Sequence, residues 1–173
     1  FMEVEELMKE RRDAELQKYY FLRNDFEALE ERINWLRNQI LMGHEEMGGS
    51  CRQSSETWHD NFGYEEGSRS SFMWSTELRK LLRIRNNATI IEPSAKKDRV
   101  SIGSVITMED EKNGEKIVFQ IGSYLILEKK GGPILNISYA APLVSPFIGG
   151  SIDDSHEIEL PAGRRSFILV DIT

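Results

Sequence analysis

One cysteine, Cys51, occurs in 173 residues. No internal disulfide can form, and a reducing cytoplasm is the expected compartment. No apolar run approaches the ~20 residues that cross a bilayer. The acidic, charged N-terminus is unlike a secretory signal. Between Glu3 and Met42 there is neither glycine nor proline, so the usual helix breakers are missing there. Apolar residues are few, 39% against 29% charged, which suits an elongated molecule with much solvated surface. A net charge of −7 disfavours bulk attraction to nucleic acid or an anionic membrane. Phosphate loops, dinucleotide fingerprints, nucleophile triads and internal repeats are all missing.

What is present first is a helical pattern. Leu22, Phe26, Leu29, Ile33, Leu36 and Ile40 are spaced by alternating fours and threes, a heptad seam that faces a single partner helix. A helix is expected from Glu3 to about Met42, spanning about 60 Å at 1.5 Å per residue, with Gly43 at its C-terminal end. The stretch from Gly43 to about Asp60 reads as a loop rich in Gly and Ser. A second helix is expected from Thr57–Asp60 to about Arg85, with Trp74, Leu78 and Leu81 as its seam. Asn86, Asn87 and Pro93 stop it. Two seams joined by a modest loop predict an antiparallel helical hairpin over 1–92. The first eighteen or so residues then overhang, to pack on the second domain or on another chain. A monomer is the expected state.

After a polar linker, Ser94 to Asp98, the period becomes strand-like. Strands are expected at Val100–Met108, Lys116–Ile121, Tyr124–Leu127, Ile134–Ile137, Glu157–Leu160 and Ser166–Ile172. Asn113-Gly114 is a hairpin turn, and Gly131-Gly132-Pro133 and Ala162-Gly163 are further turns. Ala140 to Ile148 reads as one short helix ended by Gly149-Gly150. The fold class is α+β: a hairpin, then a small β-rich domain over 93–173. Charge is uneven. Residues 1–92 carry 13 basic and 18 acidic residues, and 93–173 carry 9 and 11.

The second half resembles a known family. Arg99-Val100-Ser101-Ile102-Gly103-Ser104-Val105 opens a strand. It is followed by a hairpin, by Ile137-Ser138-Tyr139-Ala140-Ala141-Pro142-Leu143, by Ile148-Gly149, and by a last strand after Pro161-Ala162-Gly163. This order resembles the C-terminal domain of the Gre transcript-cleavage factors, and a helical hairpin before such a domain is that family's architecture. The resemblance implies an FKBP-like fold for 93–173. It also implies docking on RNA polymerase through the segment that holds Ile137, Pro142, Leu143 and Gly149.

The family's hairpin tip carries Asp-Leu-x-Glu-Asn-x-Glu-Tyr. Here Thr57-Trp58-His59-Asp60-Asn61-Phe62-Gly63-Tyr64 stands in that frame. Asn61 and Tyr64 match, Asp60 replaces Glu, Thr57 replaces Asp, and Gly63 replaces the second Glu. Glu56 is the nearest substitute carboxylate, and Glu45 and Glu46 lie across the loop. The resemblance implies that the hairpin enters the polymerase secondary channel. There its acids help hold a catalytic Mg²⁺ that cuts backtracked RNA. Mg²⁺ prefers oxygen ligands, and two-metal hydrolysis stabilises both the attacking and the leaving oxygen. The expected catalytic carboxylates are Asp60 and Glu56, and the expected tip contacts are Trp58, His59, Asn61 and Tyr64. The metal belongs to the polymerase centre; this chain alone holds none and needs no cofactor of its own. RNA is met only through the elongation complex, and no membrane is involved.

Plainer readings stand beside these. Thr57-x-x-Asp60 also fits a capping box, in which Asp60 satisfies backbone donors and complements the helix dipole. Glu56 then is a solvated charge. Trp58 either folds back on the hairpin or meets a partner. His44, Cys51 and His59 match no zinc spacing. Arg79, Lys80, Arg83 and Arg85 either complement a helix C-terminus or form a patch for RNA or polymerase. Three function classes follow: a polymerase factor that stimulates cleavage or occupies the channel without it, a prolyl isomerase, and a coiled-coil adaptor. The isomerase requires an aromatic-lined cleft built from Phe119, Tyr124, Tyr139, Phe147 and Phe167.

Overall fold

The computed structural model describes residues 17–53, 62–128 and 132–173. Strand β1 (Tyr19–Leu22) leads into helix α1 (Arg23–Gln53). Helix α2 (Phe62–Asn86) and strand β2 (Ala88–Ile91) follow. β1 and β2 form a two-stranded sheet. The remaining strands are β3 (Val105–Asp110), β4 (Lys116–Gly122), β5 (Leu135–Ser138), β6 (Ser155–Leu160) and β7 (Gly163–Ile172). They make one sheet in the order β5-β4-β3-β7-β6. Only the β4–β5 pair is parallel. The architecture is α+β, a helical hairpin followed in sequence by a β-rich domain. No helix among the described residues is long and apolar enough to cross a membrane.

The chain divides into two compact units. Among the described residues, one holds Gln17 and Lys18 with Glu27–Ala88, and the other Tyr19–Phe26 with Thr89–Thr173.

In the hairpin unit, Leu29, Ile33 and Leu36 of α1 are fully buried, and Leu81 and Ile84 of α2 nearly so. These are seam positions, hidden because each helix covers the other's apolar stripe. Arg32 binds Glu77 through two hydrogen bonds of 2.9 Å. Arg85 pairs with Glu30. Trp35 and Trp74 meet edge to face at 6.2 Å. Later residues of α1 face earlier residues of α2, so the helices run antiparallel.

Several expectations change. Gly43 does not end the first helix, and α1 continues through the expected loop to Gln53. A glycine inside a helix costs only about 1 kcal/mol relative to alanine, which lateral packing offsets. Gly43 lies opposite the Trp74 ring, where a Cβ would sit 3.8 Å from it. The first helix also starts later, at Arg23. Tyr19-Tyr20-Phe21 prefer a strand, and β2, which the reading did not foresee, gives them a partner. Residues 3–16, expected to be helical, lie outside the described residues, as do 57–61, the expected start of the second helix.

In the β-rich unit, β3 alternates: Ile106, Met108 and Asp110 are buried, with half-buried neighbours between them. That is the period of a strand with one face on a core. Phe119, Ile121, Val144, Phe147, Phe167 and Leu169 share this core. A register shift between Thr107 and Met108 marks a bulge against β7. Gly114 turns β3 into β4 with φ of +72°, as Asn-Gly predicts. The opening strand begins at Val105 and not Val100, and Tyr124–Leu127 forms no strand. Gly103 explains the first change. Its φ is +97°, and a Cβ there would lie 3.0 Å from Pro93, so the chain bends before it pairs. The expected helix at Ala140–Ile148 is reduced to a 3-10 turn, Ser145–Phe147, because Pro142 and Pro146 remove backbone donors.

Candidate functional site

The tip residues Glu56, Trp58, His59, Asp60 and Asn61 lie outside the described residues. Tyr64 falls on α2, two residues in from Phe62. Glu45 is exposed on α1. What the structure provides is the stem that carries the tip. Its rigidity comes from the two interhelical ion pairs and from Trp35, whose ring also lies under the Arg32 guanidinium at 4.5 Å. A guanidinium held both by a carboxylate and by an indole face is pinned in position. The basic end of α2 divides: Arg85 is used by Glu30, whereas Arg79, Lys80 and Arg83 are exposed.

The expected docking segment is Ile137 to Gly149. Val144 and Phe147 are fully buried and act as its two anchors. Ile137 and Leu143 pack against the core from its margin. Pro142, Ile148 and Gly149 are exposed. The Gly149 N–H donates to the Val100 carbonyl at 2.8 Å, and the Val100 N–H donates to the Gly150 carbonyl at 2.9 Å. The exposed residues therefore stand on a loop fixed from below, which lowers the ordering cost of any contact they make.

A group the sequence reading missed lies around Ser123. This side chain is fully buried. Its hydroxyl accepts the Leu22 N–H at 2.8 Å and donates to the Asp25 carboxylate. Beside it the Tyr124 N–H donates to the Tyr20 carbonyl at 3.0 Å, and the Tyr20 N–H donates to the Tyr139 hydroxyl at 3.2 Å. Tyr19 meets Tyr124 at 4.4 Å between ring centroids, and Tyr139 lies 6.3 Å from Tyr124. Burial raises the pKa of Tyr139, the bond from Tyr20 acts against that, and the neighbouring tyrosines add to it. The aromatic run Tyr19-Tyr20-Phe21 was the available signal. Phe119, Phe147 and Phe167 are buried in the core and Tyr124 and Tyr139 meet other tyrosine rings at a tilt, so these rings are engaged in packing. Among the described residues no three His, Cys, Asp or Glu side chains are grouped to hold a metal.

The family described as "Transcription elongation factor, GreA/GreB, C-term" matches residues 95–173. The transcription elongation factor GreA of Brucella anthropi is 25% identical over 158 residues, 91% of this chain and 98% of that protein. GreA of Thermotoga neapolitana is 22% identical over 91% of this chain and 99% of its own length. A crystal structure of GreA factor homolog 1 (Gfh1) of Thermus thermophilus matches at 21% identity, 91% of this chain, 99% of that one and a TM-score of 0.43. Residues 95–173 thus match the C-terminal domain of the GreA/GreB transcription elongation factors, and over most of its length the chain is similar to GreA proteins.

Proposed function

We propose that this chain binds RNA polymerase through its C-terminal domain and inserts its helical hairpin into the secondary channel. It acts there as a cytoplasmic accessory factor, not as an enzyme with its own pocket. The observation that supports this most is coverage: GreA proteins align over 91% of the chain, so hairpin and β-rich domain occur in the same combination. The fixed loop from Ile137 to Gly149 is the docking surface, with Pro142 and Ile148 presented outward.

At the tip, Asp60 is the carboxylate that assists the polymerase-bound Mg²⁺, and Glu56 is its partner. Trp58, His59, Asn61 and Tyr64 contact the channel. Thr57 replaces a family Asp and Gly63 a family Glu, so one carboxylate of the usual pair is missing at its register and Glu56 is the nearest substitute. Asp60 reaches about 1.3–1.5 Å less far than Glu, the length of one methylene. Mg²⁺ holds its ligands near 2.0–2.1 Å and tolerates little misplacement. The reading is therefore a channel-occupying regulator with weak or no stimulation of cleavage.

The test is a polymerase-binding measurement paired with a cleavage assay on a backtracked complex. Binding with little cleavage is expected. Asp60→Asn should abolish what cleavage there is at unchanged affinity. Strong cleavage by the wild type, unaffected by Asp60→Asn, would make Asp60 a helix cap alone. No binding to polymerase would overturn the proposal as a whole.

A further inference from the structure

Eight asparagines occur in the chain, and one of them, Asn113, precedes a glycine. The pair lies in the loop between β3 and β4, where Asn113 and Gly114 are both exposed. The strands fix this loop at its base. The Asp110 N–H donates to the Glu115 carbonyl at 2.9 Å, and the Gly114 N–H donates to the Asp110 carbonyl at 2.8 Å. Gly114 has φ of +72°, and a Cβ on it would meet nothing within 4 Å. The Asn113 side chain folds back over the loop. Its Oδ1 accepts the Glu115 N–H at 2.9 Å, the bond of an Asx turn. Its Nδ2 reaches the Glu115 carboxylate at 3.4 Å, too long to hold the amide firmly.

We propose that Asn113 is a site of spontaneous deamidation, and that the turn sets its rate. The Gly114 nitrogen gives up its proton and attacks the side-chain carbonyl carbon of Asn113. A five-membered succinimide forms, and Nδ2 leaves as ammonia, taking up that proton. Water then adds to either imide carbonyl, and the ring opens to aspartate or to isoaspartate. Water is the one co-reactant, and nothing is oxidised or reduced. Glycine puts no side chain in the path of the attack. The Glu115 N–H sits on the oxygen that turns negative, so it stabilises that charge. Against this, the Asp110 carbonyl holds the Gly114 N–H, which is freed only when the loop tip opens. Such local opening costs least in exposed loops. The brake outweighs the help, since no attack begins without a free nucleophile. The remaining asparagines are less disposed to react. Asn24, Asn34, Asn38 and Asn86 lie in helices, and Asn61, Asn87 and Asn136 precede residues that carry side chains. Isoaspartate adds one carbon to the main chain inside the loop. It takes the Gly114 N–H away from the Asp110 carbonyl and disturbs the turn that seats buried Asp110 beside Arg165.

Peptide mapping by mass spectrometry of the full chain, kept folded in mildly alkaline buffer, tests this. The mass gain of an NH₂-to-OH exchange should appear first in the peptide that holds Asn113. That peptide should also become a methyl acceptor for an isoaspartyl methyltransferase. The same chain unfolded in urea should convert Asn113 faster, because the Asp110 bond is gone. Asn113→Ser keeps an oxygen for the Glu115 N–H and cannot form the ring. It should gain no mass there and should keep its melting temperature on ageing, while the aged wild type melts below the fresh one. An Asn113 that stays intact in the folded chain while other asparagines convert would overturn the site. Conversion as fast in the folded chain as in urea would overturn the control by the turn. A wild type converted at Asn113 that melts like the fresh protein would overturn the link to Asp110.

Discussion

Ser123 and Tyr139 show how much single polar atoms can hold. The Ser123 hydroxyl is the buried partner of both a backbone N–H and a carboxylate. Ser123→Ala leaves the Leu22 N–H without its acceptor, a loss of about 1–3 kcal/mol that urea denaturation would measure. Asp110 is 1% exposed, accepts the Lys112 N–H at 2.9 Å and lies 3.1 Å from Arg165. Asp110→Ala removes both the turn bond and the ion pair. It should cost at least as much as Ser123→Ala. Tyr139 adds a pH dependence. Its folded pKa is raised by burial above the ordinary value near 10, so the folded state favours the neutral phenol. Its stabilising contribution is complete below pH 10 and is lost as pH rises through the folded value. Thermal melts above pH 10 should therefore fall more steeply for wild type than for Tyr139→Phe.

Among the elements, α1 separates what a sequence pattern reveals from what it hides. Leu29, Ile33 and Leu36 were legible because burial of a helix seam follows spacing alone. Leu36→Ala should cost about 2–5 kcal/mol and lower the melting temperature of the helical signal. The ends were not legible. Gly43 looks like a terminator, yet the local preference is only about 1 kcal/mol and the helix runs on to Gln53. Tyr19–Leu22 continues the heptad by spacing, yet becomes a strand because β2 is adjacent, and no local pattern records a partner sixty-odd residues away. The proline pair around Leu143 to Ser145 shortened the expected helix. At the site, Ile137, Pro142, Leu143 and Gly149 came from resemblance. The structure adds why they stand on a fixed loop. The Ser123 group escaped because its members are polar, scattered in sequence and joined only in space.

At the scale of the molecule, the chain is interleaved. Residues 19–26 belong with 89–173 and the hairpin is inserted between them. A fragment beginning at Thr89 lacks the strand that satisfies Ser123 and the Tyr124 N–H and covers the Tyr124 ring. It should melt well below the same unit in the intact chain, and mixing in a peptide of residues 19–26 should recover part of the loss. Equal melting points would show that β1 contributes little to that unit. The interleaving also sets an order of events. The β-rich unit is incomplete until a segment made early meets one made late, with the hairpin residues between them. Closing so long a loop at random is entropically slow. Helices form within microseconds, and an antiparallel pair returns the chain to where it started, so a folded hairpin brings Phe26 and Thr89 together beforehand. Leu36→Ala should then slow refolding of the β-rich unit, as followed by the tyrosine signal around Tyr124, although Leu36 itself belongs to the hairpin unit.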